Sequence, residues 1–129
     1  LNSRRIFSDM HARVQRFQPG RDIAPGVSSI AAYGHTPGHA AFAVASGAHS
    51  MLVLSDTAHH PALFLRYPHW QAVIDMDGPM AADVRIRMLD RAAADRMLVQ
   101  GYHFPFPASG HVIKTNTGYE VAPVMWQPL

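Results

Sequence analysis

The chain has 129 residues, one domain's length and roughly enough to bury two-thirds of the surface that the unfolded chain exposes. Apolar types make up 48% and charged types 16%, so a packed core needs no stapling cofactor, and a collagenous or wholly disordered chain is excluded. Cysteine is absent, which removes disulfide frameworks, thiolate zinc sites and cysteine nucleophiles together and leaves the redox compartment open.

The net charge of +2 is uneven: residues 1–21 carry five Arg against Asp9, and the remainder carries six basic against eight acidic side chains. A nucleic-acid footprint needs a basic face with interleaved aromatics, and only that short segment, with Phe7 and Phe17, approaches one. The apolar stretch Ala40–Ala45 is far short of a membrane span, and no apolar run follows the basic start to make a signal peptide, so a soluble protein, cytoplasmic or periplasmic, is expected. Leu1 in place of methionine is expected of a processed, truncated or tag-scarred product of something longer.

In chain order, Phe7, Met10 and Val14 recur at helical spacing and predict an amphipathic helix over residues 2–12 that packs its apolar side. Pro19-Gly20 and Pro25-Gly26 mark turns, and Val27–Tyr33 reads as a strand. Ala40–Ser46 and Met51–Ser55 read as two more, turned at Gly47. From Thr57 to Gly78 the composition (Pro61, Pro68, His59, His60, His69, Trp70) suits a loop over a site. Pro79 then opens a helix over about 79–97, with Ala82, Ile86, Leu89, Ala93 and Met97 as its apolar stripe and Asp83 and Arg87 placed to pair on the wet side. Leu98–Gln100 reads as a short buried strand. His111–Thr115 and Tyr119–Ala122 read as a hairpin turned through Asn116–Gly118. The order implies a single α/β domain over 1–129, its mixed sheet largely antiparallel, with one long helix packed on it.

Nine His equal the acids in number, and they gather near strand ends and turns rather than on the helical stripe. Gly34-His35-Thr36-Pro37-Gly38-His39 is a tight turn between two strands, its glycines giving freedom and Pro37 rigidity to present an imidazole at a fixed angle. Asp56 ends the apolar run Met51–Leu54, and His103 follows another such run before the stiff Phe104-Pro105-Phe106-Pro107. Taken singly, each is an ordinary surface histidine or turn-capping aspartate. Together they are His, Asp and His at three strand ends, the donors that a borderline metal such as zinc accepts when thiolate is absent.

These segments, with His59-His60-Pro61 after Asp56 and Gly101-Tyr102-His103-Phe104-Pro105, resemble the metallo-β-lactamase superfamily, in its lactonase and methyl-parathion-hydrolase-like branch, from about Arg13 to Val112. The resemblance implies half of an αββα sandwich. It also implies a dinuclear zinc site in which His39 binds one metal, Asp56 bridges both and His103 binds the other. The family's His-x-His-x-Asp-His signature, which supplies four further ligands, occurs nowhere in these residues, so the chain resembles the C-terminal half alone. Ser55 stands where many members have glycine before the bridging aspartate.

The resemblance further implies a metal-dependent hydrolase acting on a lactone, ester or organophosphate through a metal-bound hydroxide, with Asp56 anchoring that hydroxide. His59, three residues past Asp56, is a candidate to orient the substrate carbonyl, against the alternative of an exposed loop histidine. His60 is a weaker candidate, His35 supports the metal ligands from behind, and His11, His49, His69 and His111 belong to the surface. Phe104, Phe106 and Trp70 wall an apolar pocket or, on the favoured reading, simply pack in the core. Counting only His39, Asp56 and His103, the isolated chain is expected to hold zinc weakly or not at all, to be inactive, and to expose an apolar face that favours self-association or the partner half. The alternative is a non-catalytic binding or assembly module that keeps the half-fold. An RNA adaptor acting through residues 1–21 ranks last.

Overall fold

The structure, a computed structural model, describes residues 2–8, 10 and 13–125. The elements are α1 (Asn2–Phe7), β1 (Asp22–Ala24), β2 (Val27–Ala31), β3 (Ala40–Ser46), β4 (His49–Ser55), α2 (Pro61–Phe64), α3 (Gly78–Ala94), β5 (Leu98–Gly101), β6 (Ser109–Lys114) and β7 (Tyr119–Pro123). The strands form one seven-stranded sheet in sequential order. Every neighbouring pair is antiparallel except β4 and β5, which run parallel. That exception has a simple cause: parallel neighbours need a long crossover, and α2 and α3 lie in it.

The expected α/β architecture is present. Each strand read from the sequence is present, because alternation puts one set of side chains under α3, but β2 stops at Ala31 rather than Tyr33, β4 starts at His49 rather than Met51, and β6 runs from Ser109 to Lys114 rather than from His111 to Thr115. Leu52, Leu54, Val99 and Val112 from the sheet meet Val84, Met88, Leu89 and Ala92 from α3 in a single core. Each fully buried leucine there contributes about 1.5–3 kcal/mol. The alternate positions Phe42, Val44, Met51 and Val53 fall on the other face and are half-buried, and Phe17 reaches across to Phe42 with ring centroids 6.2 Å apart.

Several expectations need correction. Helix α3 ends at Ala94 rather than Met97, because Asp95 caps it and Arg96 turns with φ of 51°. Its start is as expected, with Pro79 in the first turn and the Asp77 carboxylate accepting from Met80 N–H at 3.0 Å. The buried stripe is rotated: Ala81, Val84, Arg85 and Met88 are buried and Ile86 only partly so. Asp83 and Arg87 are exposed as expected, but the i,i+4 ion pair among the described residues is Arg91–Asp95, at 3.7 Å. The first helix stops at Phe7. Phe7 and Val14 are more than half solvent-exposed or nearly so, not packed, and residues 9, 11 and 12 lie outside the described part. Two short elements had no sequence signal strong enough to read: β1, exposed along its length, and the four-residue α2.

Candidate metal centre

The topology brings the predicted site residues to one edge before any side chain is considered. Because β4 and β5 are parallel, their C-terminal ends lie side by side, with Ser55 paired to Gly101. Because β3 is antiparallel to β4, its start lies at that same end. The Phe42–Val53 pairing, continued outward, sets His39 opposite Asp56. Residues just past the carboxyl ends of adjacent strands are where open sheets commonly place reactive groups.

The side chains converge there. His103 Nε2–H donates to Asp56 Oδ1 at 2.8 Å. His39 Nδ1–H donates to the Ala32 carbonyl at 2.7 Å, so the lone pair is on Nε2, which accepts the Asp56 backbone N–H at 3.2 Å. A backbone carbonyl that fixes the ring tautomer in this way is the usual support of a metal-ligating histidine. Ser55 takes φ of 51° to aim Asp56, a left-handed conformation that glycine adopts freely and serine does not. That explains why glycine suits this position. At the other end of the site, a Cβ on Gly34, whose φ is +124°, would run into the Ala81 backbone, so the His35–His39 turn sits directly against α3.

His35 lies behind these groups, as expected. Its Nδ1–H donates to Asp75 Oδ1 at 2.9 Å, and its Nε2 is 3.9 Å from Asp56 Oδ2. His59 is not an exposed loop residue. It is 9% exposed, enclosed by the rings of His35 at 5.6 Å, His103 at 5.2 Å and Phe64 at 5.2 Å. Burial lowers its pKa, with Asp75 opposing and the neighbouring histidines reinforcing that shift, so the ring is neutral near pH 7. His60 turns away and caps α2, its Nδ1 accepting Ala62 N–H at 3.3 Å. His49, His69 and His111 are exposed as expected, and His11 lies outside the described residues.

Asp75 and Arg85 lie outside the set of site residues predicted from the sequence. The Asp75 side chain is 1% exposed and accepts Ala72 N–H at 3.2 Å. Arg85 Nη2 lies 3.8 Å from its second oxygen, and Arg85 is itself fully buried. A signal existed: Arg85 lies three residues beyond Ala82 and four before Leu89, within the apolar stripe of α3, and a cation there requires a buried partner. The aromatic residues divide. Phe104 is in the core, packed over Gly101, where a Cβ would meet its ring. Phe106 and Trp70 are exposed, the latter stacked on Tyr67 at 4.5 Å, so core packing describes only the first.

The donor chemistry fits a borderline divalent ion. Ligand atoms of Asp56, His59 and His103 lie within 4.8 Å of one another, as do those of His35, His59 and Asp75, and His59 Nε2 is buried with no hydrogen-bond partner among the described residues.

No family model and no curated protein matches the sequence. Solved structures do match the fold. A hydrolase of the β-lactamase superfamily, AbOPH, superposes with a TM-score of 0.90 at 23% identity, over 97% of this chain and 44% of its own. AidC, a dizinc quorum-quenching lactonase solved with its N-hexanoyl-L-homoserine product, gives 0.87 at 21%, over 96% and 42%. A probable metal-dependent hydrolase from Staphylococcus aureus gives 0.67 at 19%, over 74% and 34%. The chain therefore has a partial metallo-β-lactamase fold and spans less than half the length of these proteins. Among the described residues no helix is long and apolar enough to cross a membrane.

Proposed function

We propose that this chain is the C-terminal half of a metal-dependent hydrolase whose complete site holds two zinc ions and acts on a lactone, ester or organophosphate. The observation that carries the reading is the meeting of His39, Asp56 and His103 at one sheet edge, through hydrogen bonds of 2.8 Å and 3.2 Å, in a fold shared with a dizinc lactonase.

In this reading His39, Asp56 and His103 are the residues of this chain that would hold the two metals, His39 one, His103 the other and Asp56 shared between them, and the other four donors would come from a partner half. Bound zinc supplies Lewis acidity, lowering the pKa of water and polarising the oxygen under attack. The chain's own residues prepare for that chemistry. The Ala32 carbonyl keeps the His39 lone pair on the inward nitrogen. Asp56, 29% exposed at its side chain, remains open to the site, where it would anchor and orient the attacking water. Asp75 holds His35 in place behind Asp56. His59, whose neutral ring adjoins Asp56 and His103, lies where a substrate carbonyl would be oriented in the complete protein.

The test is to express this chain together with the preceding coding region and assay N-acyl-homoserine lactones and aryl phosphotriesters. Two equivalents of zinc per chain, with hydrolysis lost on Asp56→Asn, are expected. Less than one equivalent, or hydrolysis unaffected by Asp56→Asn, would end the proposal and leave the non-catalytic module.

A further inference from the structure

His39, Asp56 and His103 do not exhaust the donors at this edge. We infer that His59 completes a three-donor cation site with Asp56 and His103, so that this chain by itself binds one zinc-like ion without any ligand from a second half. The inference shares two residues with the proposed function but does not need its missing half.

Three observations carry it. First, the His59 side chain is buried, 9% exposed, and its Nε2 has no hydrogen-bond partner among the described residues, a deficit that costs about 1–3 kcal/mol to leave unmade. Such a group inside a cluster of donors is relieved by a cation. Second, the ligand atoms of Asp56, His59 and His103 already lie within 4.8 Å of one another. Donors around one ion with legs of about 2.0–2.2 Å sit some 3–4 Å apart. His103, whose side chain is 51% exposed, has room to turn and close the difference. Third, the count is right: one carboxylate and two imidazoles leave the fourth, solvent-facing position open, as in sites where zinc holds a water.

His59 Nε2 lies 3.9 Å from Asp75 Oδ1, and a site of His35, His59 and Asp75 is the competing arrangement. Charge and hydrogen bonding disfavour it. The Asp75 carboxylate already accepts from His35 and from Ala72, and the Arg85 guanidinium lies 3.8 Å away, where it would repel a dication. Asp56 has the His103 ring as its one side-chain hydrogen-bond partner among the described residues and no guanidinium beside it. In a complete two-metal centre the donors from the other half would take over, releasing His59 toward the substrate.

The experiment titrates the purified 129-residue chain with Co2+, read by visible d–d absorption, and with Zn2+, read by the ring nitrogen shifts of the histidines in NMR. One equivalent should bind, with a Zn2+-induced shift on a ring nitrogen of His59 and of His103. His59→Gln and Asp56→Asn should each weaken binding at least about tenfold, the scale on which a metal site loses affinity when its support is removed, while Asp75→Asn should change it less than about threefold. No saturable binding, a site indifferent to His59→Gln, or one that follows Asp75 would each overturn the inference. The wild-type NMR shift keeps the question decidable if a variant fails to fold. Each of these failures leaves the hydrolase reading standing, because that reading is judged on the protein containing both halves.

Discussion

Replacing Arg85 by methionine tests how the loop between β4 and α3 is held. Arg85 Nε donates to Thr57 O at 2.9 Å, and Nη1 donates to Pro68 O and Trp70 O at 2.8 Å and 2.7 Å. The guanidinium also lies 4.9 Å from the Phe64 ring centre and 3.8 Å from Asp75. Methionine is close in volume and fills the space, but it leaves three carbonyls without a donor and Asp75 without its cation. Hydrogen bonds to charged groups contribute about 1.5–3 kcal/mol each and do not add fully within one network, while removing one partner of a buried pair costs about 3–5 kcal/mol. A loss of about 4 kcal/mol is therefore expected, against a typical domain stability of about 5–15 kcal/mol. With an m-value of about 2 kcal/mol per molar urea, the unfolding midpoint should fall by about 2 M at unchanged m. Adding Asp75→Asn, which removes the stranded charge, should recover about 1–2 kcal/mol. A fall of less than about 0.5 M in the single variant, roughly 1 kcal/mol on the same m-value, would show that the three carbonyls do not depend on Arg85.

Two further outcomes follow from the site. Because burial lowers the His59 pKa, the unfolded chain takes up a proton that the folded chain refuses once the pH falls below about 6.5. Stability attributable to His59 should thus be present at pH 7.5 and decline through the window below 6.5, at no more than about 1.4 kcal/mol per pH unit. His59→Leu should flatten that limb of the urea midpoint against pH, and an unchanged limb would contradict the assignment. Ser55→Gly should raise stability by about 0.5–1 kcal/mol, because the left-handed conformation at φ of 51° costs a serine about 1–2 kcal/mol, partly offset by glycine's greater freedom when unfolded; a thermal melt reads the shift.

Much of the fold was legible because strands bounded by turn residues leave an unambiguous trace. Ala40–Ser46 is apolar between Gly38 and Gly47, and it is β3 to the residue. The long helix was legible from Pro79 and its periodicity, but the stripe was misplaced by about one residue because an arginine was excluded from the buried side on chemical type. Whether a charge is buried depends on a partner supplied by the tertiary fold, and Asp75 sits ten residues away in an irregular segment. β1 is three exposed residues whose only reason for being extended is the edge of β2. At the site, His39, Asp56 and His103 could be found because strand ends fix position. His59 could not be judged buried, because its enclosure comes from His35, His103 and Phe64, residues that only the closed crossover brings around it.

The parallel pairing of β4 with β5 also bears on how the site comes into being. Asp56 and His103 are separated by 47 positions in the sequence, and nothing local holds them near each other in an unfolded chain. They become neighbours only when the intervening helical connection has docked and the loop has closed, the kind of distant contact that slows folding and rewards it late. Any ion that takes both donors would therefore bind after the rate-limiting step, slowing unfolding far more than it speeds folding.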